Sequence, residues 1–349
     1  MNTRDSLPAG LERGERAPDF VLPGPTSRHI RFYGIAGGRP MALVLGRNGD
    51  PLDEVVHLAE GLGESPDGPP PVVAVFPHIP GAMPPDPPFP VLVDTEGEVR
   101  KSYRVPPDEE TLVFVLDENL RVLESFPLES GVTAAKRVQD IVEARLPAPA
   151  VNIVSQAPVL LIPDALDPAT CRRLIEVFET RGSVETGVEY SSDGQRVGGL
   201  DPDAKRRRDH TVIDPDLLRQ LTQAVGRRVI PEVRKAFSFR ATRFEGFKIA
   251  RYDGAEGGHF RAHRDNLSPA TAHRRFAFTL NLNEGYEGGH LRFAEYAPHL
   301  YRPAAGGAIA FSCSLLHEAL PVTRGLRYVL LSFLFGEDDV RASPPAEPK

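Results

Sequence analysis

The sequence predicts an α/β domain followed by a double-sheet jelly roll with flanking helices. Three observations predict it. Between residues 15 and 146, short apolar runs of buried-strand type alternate with segments of helical period. Beyond residue 245, short β-rich segments recur with glycines or turn residues between them. Residues 147–158, PAPAVNIVSQAP, are proline-punctuated and without period, as a linker would be. The chain of 349 residues is long enough for two cores, and the expected domains are 1–150 and 151–349.

The first domain opens with PMALVLG at 40–46, an apolar run of buried-strand type. PLDEVVHLAEGLGE follows from Pro51, with Leu52, Val55, Val56 and Ala59 at helical spacing. PVVAVF at 71–76 is a second buried strand, and a proline-rich loop follows it. FPVLVD at 89–94 and TLVFVLD at 111–117 are two more strands. RVLESFPL at 121–128 pairs with the latter through the turn at Asp117, Glu118 and Asn119. A helix over 134–146 closes the unit.

In the second domain, Asp167 is a good N-cap and Pro168 suits the first helical position. Cys171, Leu174, Ile175 and Phe178 form one apolar face before Gly182 ends the helix, which makes Cys171 a core residue. Residues 183–211 are polar and glycine-rich, a long loop and candidate lid. Its basic cluster, Lys205 to Arg208, reads as a solvated loop, with cover for an anionic substrate as the alternative. A helix is expected over 217–237. The strands then read FKIARYD, HFRAHRD, FAFTLNLN, GHLRFAE, AIAFSC and RYVLLSFLF.

Composition excludes several classes. Hydrophobic content of 41% and charged content of 26% are ordinary for a globular protein. No run approaches the length of a membrane span, and the polar opening residues carry no signal-peptide core, so a cytoplasmic protein without membrane contact is expected. Two cysteines rule out a disulfide scaffold or a CxxC zinc site. The net charge of −7 argues against a nucleic-acid partner.

The chemistry concentrates in HFRAHRDN and LLHEALPV. On one strand, His263 and Asp265 would point the same way, and His317 from another strand would complete the set. Two imidazoles and a carboxylate are the ligands of the facial triad that leaves positions open on Fe(II). Arg327 follows His317 by ten residues, where a cation could hold the far carboxylate of a keto-acid. H-x-D alone is close to chance in a chain with ten histidines. The surrounding order is more specific: H-x-D strand, hairpin, G-x-x-x-F strand, distal His, Pro-Val and G-x-R.

With that order, residues 155–340 resemble the Fe(II)- and 2-oxoglutarate-dependent dioxygenases, in their prolyl 4-hydroxylase-like branch. The resemblance implies a double-stranded β-helix fold with His263, Asp265 and His317 as iron ligands. It puts Arg327 on the distal carboxylate of 2-oxoglutarate and Tyr252 in the co-substrate pocket. Thr279 and Asn281, two apart on a core strand, are further pocket candidates. Fe(II), 2-oxoglutarate and O2 are then the expected cofactors, with ascorbate a further candidate. The implied reaction hydroxylates an unactivated C–H of a protein prolyl residue or a small molecule, converting 2-oxoglutarate to succinate and CO2. His210, His259, His273 and His290 fall outside the pattern.

In the first domain, GERAPDFVLPG, FPVLVDTEGEVRKSYRV and TLVFVLDENLRV resemble the peroxiredoxin branch of the thioredoxin fold over residues 12–146. That family's peroxidatic cysteine would follow LVLG, where this chain has GRNGDPLDEV, and no cysteine occurs before Cys171. The resemblance implies a thioredoxin-like module without thiol chemistry, for homodimerisation or partner binding, or as a spacer. A thiol peroxidase is thereby disfavoured. The remaining alternative is a metal-binding or pseudoenzyme interaction protein.

Overall fold

The computed structural model describes residues 10–26, 28–50, 52–63, 68–81, 83, 87–145, 150–192 and 195–341. Residues 1–9 of the polar N-terminus, 82 and 84–86 of the proline-rich loop, 146–149 of the helix end and linker, and 193–194 of the polar loop lie outside them. The chain divides into two compact units, Met1–Ala150 and Val151–Lys349.

The first unit is built on one five-stranded sheet. Its order is Val91–Val93, Val72–Phe76, Met41–Leu45, Leu112–Leu116, Val122–Pro127. The first three strands are parallel and the last two add on antiparallel. Every residue of the three middle strands is buried, which is why they read as unbroken apolar runs. Helices Asp53–Gly61 and Gly131–Glu143 cover one face. Phe32, Val99 and Tyr103 pack on the other. The last helix starts three residues before its predicted start, because the Gly131 amide is held by Glu54 (2.6 Å). The hairpin Val21–Pro23/His29–Arg31 and the helix Glu98–Ser102 are too short to show a period in sequence.

At the end of the Met41–Leu45 strand stands a buried arginine. Arg100 Nη1 donates to the Leu45 and Gly46 carbonyls (3.1 and 2.9 Å), and Nη2 to those of Pro106 and Glu109 (both 2.9 Å). It ties the turn after the first core strand to the loop before Leu112–Leu116.

The second unit is sheet-rich and jelly-roll-like. Its larger sheet is antiparallel and runs Val159–Ile162, Ala308–Ser312, Phe276–Asn281, Leu326–Phe335, Lys248–Asp253, Arg208–Thr211, Val184–Glu185. Arg243–Phe244 also pairs with the long Leu326–Phe335 strand. The smaller sheet runs Lys205–Arg206, His259–His263, His317–Ala319, Leu291–Arg292, Leu300–Tyr301. Between them lies a core that includes Tyr252, Phe293, Ile309, Phe311 and Val329. Helices Pro168–Arg181, Pro215–Arg228 and Ile230–Phe237 cover the outer face of the larger sheet. Asp167 caps the first by accepting from the Thr170 amide (2.8 Å), and Gly182 ends it at φ +82°.

Three expectations are corrected. Residues 183–211 are not a structureless loop. They hold the hairpin Val188–Ser192/Gln195–Gly199 and strands that extend both sheets. Their segments, VE, VEYSS, QRVGG, KR and RDHT, are short and mostly polar, so no sustained apolar alternation announces them. The helix expected over 217–237 is two helices. Asp214 caps the first from three residues earlier, and Pro231, which cannot continue a helical ladder, sits in the first turn of the second. Asp265 is not on the strand of His263, which ends at His263 itself; Asp265 lies in the following turn.

Candidate active site

The site begins with an irregularity in the smaller sheet. The strand His259–His263 pairs with His317–Ala319, with Phe260 opposite Ala319 but His263 opposite His317. Between those pairs, two residues on one strand, Arg261 and Ala262, therefore oppose one on the other, Glu318. Such a bulge re-aims side chains, and here it sets the two imidazoles side by side, tilted by 49° with ring centroids 4.3 Å apart. The turn after His263 returns Asp265 toward both rings, fixed by its amide donating to the Cys313 carbonyl (3.0 Å). His263 Nε2 lies 3.5 Å from Asp265 Oδ1, and His317 Nε2 lies 3.4 Å from Asp265 Oδ2. One donor atom from each residue falls within 4.8 Å of the others.

This donor set fits a divalent ion. Two ligands about 2.1 Å from one ion stand about 3 to 3.5 Å apart. Each histidine has its Nδ1 against a backbone carbonyl, Arg261 O at 2.8 Å and Leu315 O at 3.0 Å. A carbonyl only accepts, so Nδ1 carries the proton and Nε2 presents its lone pair to the centre. Burial drives the Asp265 carboxyl up. The His263 hydrogen bond and the charges of His317, His263 and Arg274 outweigh it and leave Asp265 below the ordinary carboxylate value. Burial lowers His317, partly offset by Asp265. An ionised carboxylate beside a neutral imidazole is the protonation state that metal ligation requires.

The triad opens into a cavity of about 600 Å³ between the two sheets, a size typical of small-molecule sites. Tyr252, Thr279 and Arg327 line it from the larger sheet. Arg327 and Tyr252 are cross-strand partners, and the guanidinium sits 5.1 Å from the Tyr252 ring centre. Arg327 is 4% exposed, yet its Nε and Nη1 are buried without a hydrogen-bond partner. Buried polar groups are nearly always satisfied, so an orphaned guanidinium beside a cavity marks the place of an anion. Gly289 makes room for it: a Cβ there would lie 2.8 Å from Arg327 Cδ, and its φ of +64° suits glycine.

Asn281 does not share this role. It is 2% exposed and does not line the cavity. Its amide donates to the Asn283 and Pro303 carbonyls, and its oxygen accepts from Tyr286 Oη (2.8 Å). The strand carries Thr279 along the cavity but runs past its end by Asn281. The other histidines have local partners, His210 on Gly182 O, His259 on Gly257 O and Asp203 O, and His273 on Glu245. His290 does not line the cavity. Cys171 and Cys313 are buried, and burial pushes both thiols up, Cys171 to about 11.

Sequence reasoning missed one wall. The basic cluster is only partly solvated: Arg206 is exposed, but Lys205 is 7% exposed, and both Lys205 and Arg207 line the cavity. Arg207 forms a two-pronged pair with Asp209 (2.7 and 2.8 Å) and donates to Tyr252 Oη (3.3 Å). The overlooked signal is Asp209, an acid two residues from Arg207, which itself lies in the break between the strands Lys205–Arg206 and Arg208–Thr211. Arg274, gripped by Glu245 (2.6 and 2.8 Å), reaches the Asp265 carbonyl (3.3 Å) and braces the turn.

Residues 247–335, which contain the triad, Tyr252, Thr279 and Arg327, match the 2OG-Fe(II) oxygenase superfamily. That family implies Fe(II), 2-oxoglutarate and O2. A PKHD-type hydroxylase of Acaryochloris marina is 40% identical over 83 residues, 23% of this chain and 37% of that protein. The multifunctional procollagen lysine hydroxylase and glycosyltransferase of Rattus norvegicus is 36% identical over 93 residues, 25% of this chain and 11% of that protein. The chain thus spans well under half the length of either relative. Among solved structures, a prolyl-4-hydroxylase of Pseudomonas putida has a TM-score of 0.39 at 20% identity, covering 51% of this chain and 92% of that one. A prolyl hydroxylase of Trichoplax adhaerens, solved with a hypoxia-inducible-factor peptide, has a TM-score of 0.43 at 16% identity, covering 54% and 87%.

Proposed function

We propose that this protein is a 2-oxoglutarate-dependent Fe(II) hydroxylase in which His263, Asp265 and His317 hold the iron and Arg327 binds the distal carboxylate of 2-oxoglutarate. One observation carries the reading: the buried, unpartnered guanidinium of Arg327 shares a cavity with a complete ligand triad. Bound Fe(II) supplies the redox chemistry that couples decarboxylation of 2-oxoglutarate to hydroxylation of a C–H bond.

The chain's own residues bind and orient. Arg327 offers two parallel N–H donors, a geometry matched to a carboxylate. Tyr252 Oη accepts from Arg207, which leaves its own proton for the co-substrate. Ala277, Leu291, Phe311 and Val329 form an apolar lining that excludes water from the reacting groups. The substrate class follows the relatives: a prolyl or other residue of a peptide or protein, or a small molecule.

For the first unit we propose a thioredoxin-like module of the peroxiredoxin branch without thiol chemistry. The sheet order supports it, with three parallel strands followed by an antiparallel hairpin at one edge, as does the absence of cysteine before Cys171. The test of the main proposal is turnover. Protein prepared without oxygen, loaded with Fe(II) and given 2-oxoglutarate and O2 should release succinate. Metal-loaded protein that forms none would defeat the reading.

A further inference from the structure

The oxygenase reading leaves one buried cation of the cavity without a task. Arg207 is neutralised by Asp209, Arg264 by Glu295 and Arg274 by Glu245, and Lys248 is exposed. Arg327 is assigned to the co-substrate. Lys205 is 7% exposed and has no carboxylate within ion-pair distance among the described residues. Its ammonium donates to the Gly187 carbonyl (3.2 Å) and lies 5.1 Å from the centre of the Phe260 ring. An ammonium has three donors, and burying one unpaired is costly. The Phe260 ring in turn stacks on His263, centroids 3.6 Å apart.

Position separates Lys205 from Arg327. Lys205 is opposite Phe260 in the smaller sheet, whereas Arg327 reaches in from the larger one, so the two stand on facing walls with the triad's cavity between them. We propose that Lys205 binds a carboxylate of the molecule to be oxidised, making the primary substrate an anion held apart from 2-oxoglutarate. The inference rests on the oxygenase reading of the same cavity. Asp265 is the one acidic side chain lining the cavity among the described residues, and it belongs to the metal, so an anionic substrate meets no repulsion beyond that of the co-substrate.

The ionisation of Lys205 agrees. Burial and the neighbouring charges of Arg207 and Lys248, opposed by Asp209, lower it to about 7. On the His259–His263 strand it faces the uncharged Phe260, and the Gly187 turn offers a carbonyl. Such a lysine is half-charged near neutrality and becomes fully charged when an anion arrives.

The test uses full-length protein loaded with Mn(II) and 2-oxoglutarate, titrated calorimetrically with matched acids and primary amides. The small-molecule arm is L-proline against L-prolinamide and phenylacetate against phenylacetamide. The peptide arm is Gly-Pro-Gly with a free or amidated C-terminus. At least one acid should bind roughly 10- to 100-fold tighter than its amide, and the arm in which it does so identifies the source of the carboxylate. That preference should vanish in Lys205→Met, return in Lys205→Arg, and decline in the wild type above about pH 7 but not in Lys205→Arg. No acid preference in the wild type, or one that survives in Lys205→Met, overturns the proposal. So does a weakened affinity for 2-oxoglutarate in Lys205→Met with the acid preference intact. Absence of succinate release from the Fe(II)-loaded protein overturns the oxygenase reading instead, and leaves these affinities readable.

Discussion

Of the arginines buried in the two units, Arg100 and Arg327 are used in opposite ways. Arg100 in the first unit and Arg327 in the second are 6% and 4% exposed. Both terminal nitrogens of Arg100 are spent on four backbone carbonyls. Arg327 has two buried nitrogens with no partner. Arg100 Nε also lacks a partner, but with both terminal nitrogens paired the guanidinium staples loops together and keeps no terminal donor for a ligand. An unsatisfied one imposes a cost on the empty fold that an anion can relieve. The staple holds the end of LVLG, at Leu45 and Gly46; the jelly-roll cavity holds the orphan.

The largest effect expected from breaking this contrast is at the triad. Asp265→Ala or His317→Ala should weaken metal binding on the order of 100-fold or more, since second-sphere changes alone cost about 10- to 100-fold; metal content after dialysis reads this out. Next comes Arg100. Arg100→Met strips four carbonyls of their donor and should lower the stability of the first unit by about 2–4 kcal/mol, measured by chemical denaturation, with metal affinity unchanged. Arg327→Met should do the reverse. Without 2-oxoglutarate its stability should stay within about 1 kcal/mol of wild type or exceed it, because an uncompensated buried charge has been removed. It should also lose the roughly 2.7 kcal/mol that 2-oxoglutarate at a hundredfold excess over its Kd gives the wild type. Gly289→Ala should have the smallest effect: about 1 kcal/mol of strain from its positive φ and a severalfold weaker affinity for 2-oxoglutarate, as Arg327 is pushed aside.

Sequence made some of this visible for identifiable reasons. Met41–Leu45, Val72–Phe76 and Leu112–Leu116 are buried on both faces and so are apolar throughout. Asp167 and Pro168 announce a helix because capping is a local interaction. The triad residues stood out by type and order. The bulge that faces His263 with His317 left no trace, because register depends on a partner strand about fifty residues away. Lys205 and Arg207 looked solvated because charge predicts exposure unless the partner is known, and Asp209 supplies that partner for Arg207 alone. Asn281 was misplaced by strand alternation, which gives a face but not how far along it a cavity extends. That Arg327 is buried and unpaired is a property of the folded cavity and has no sequence signature.

The central claim is that the triad and the orphaned arginine form one site with separate tasks. Anaerobic titration of 2-oxoglutarate into Fe(II)-loaded wild type and Arg327→Met, with iron content measured on the same samples, tests it most directly. The account predicts equal iron in both and an affinity for 2-oxoglutarate at least about tenfold weaker in the variant. Equal affinity, or loss of iron from the variant, would contradict it.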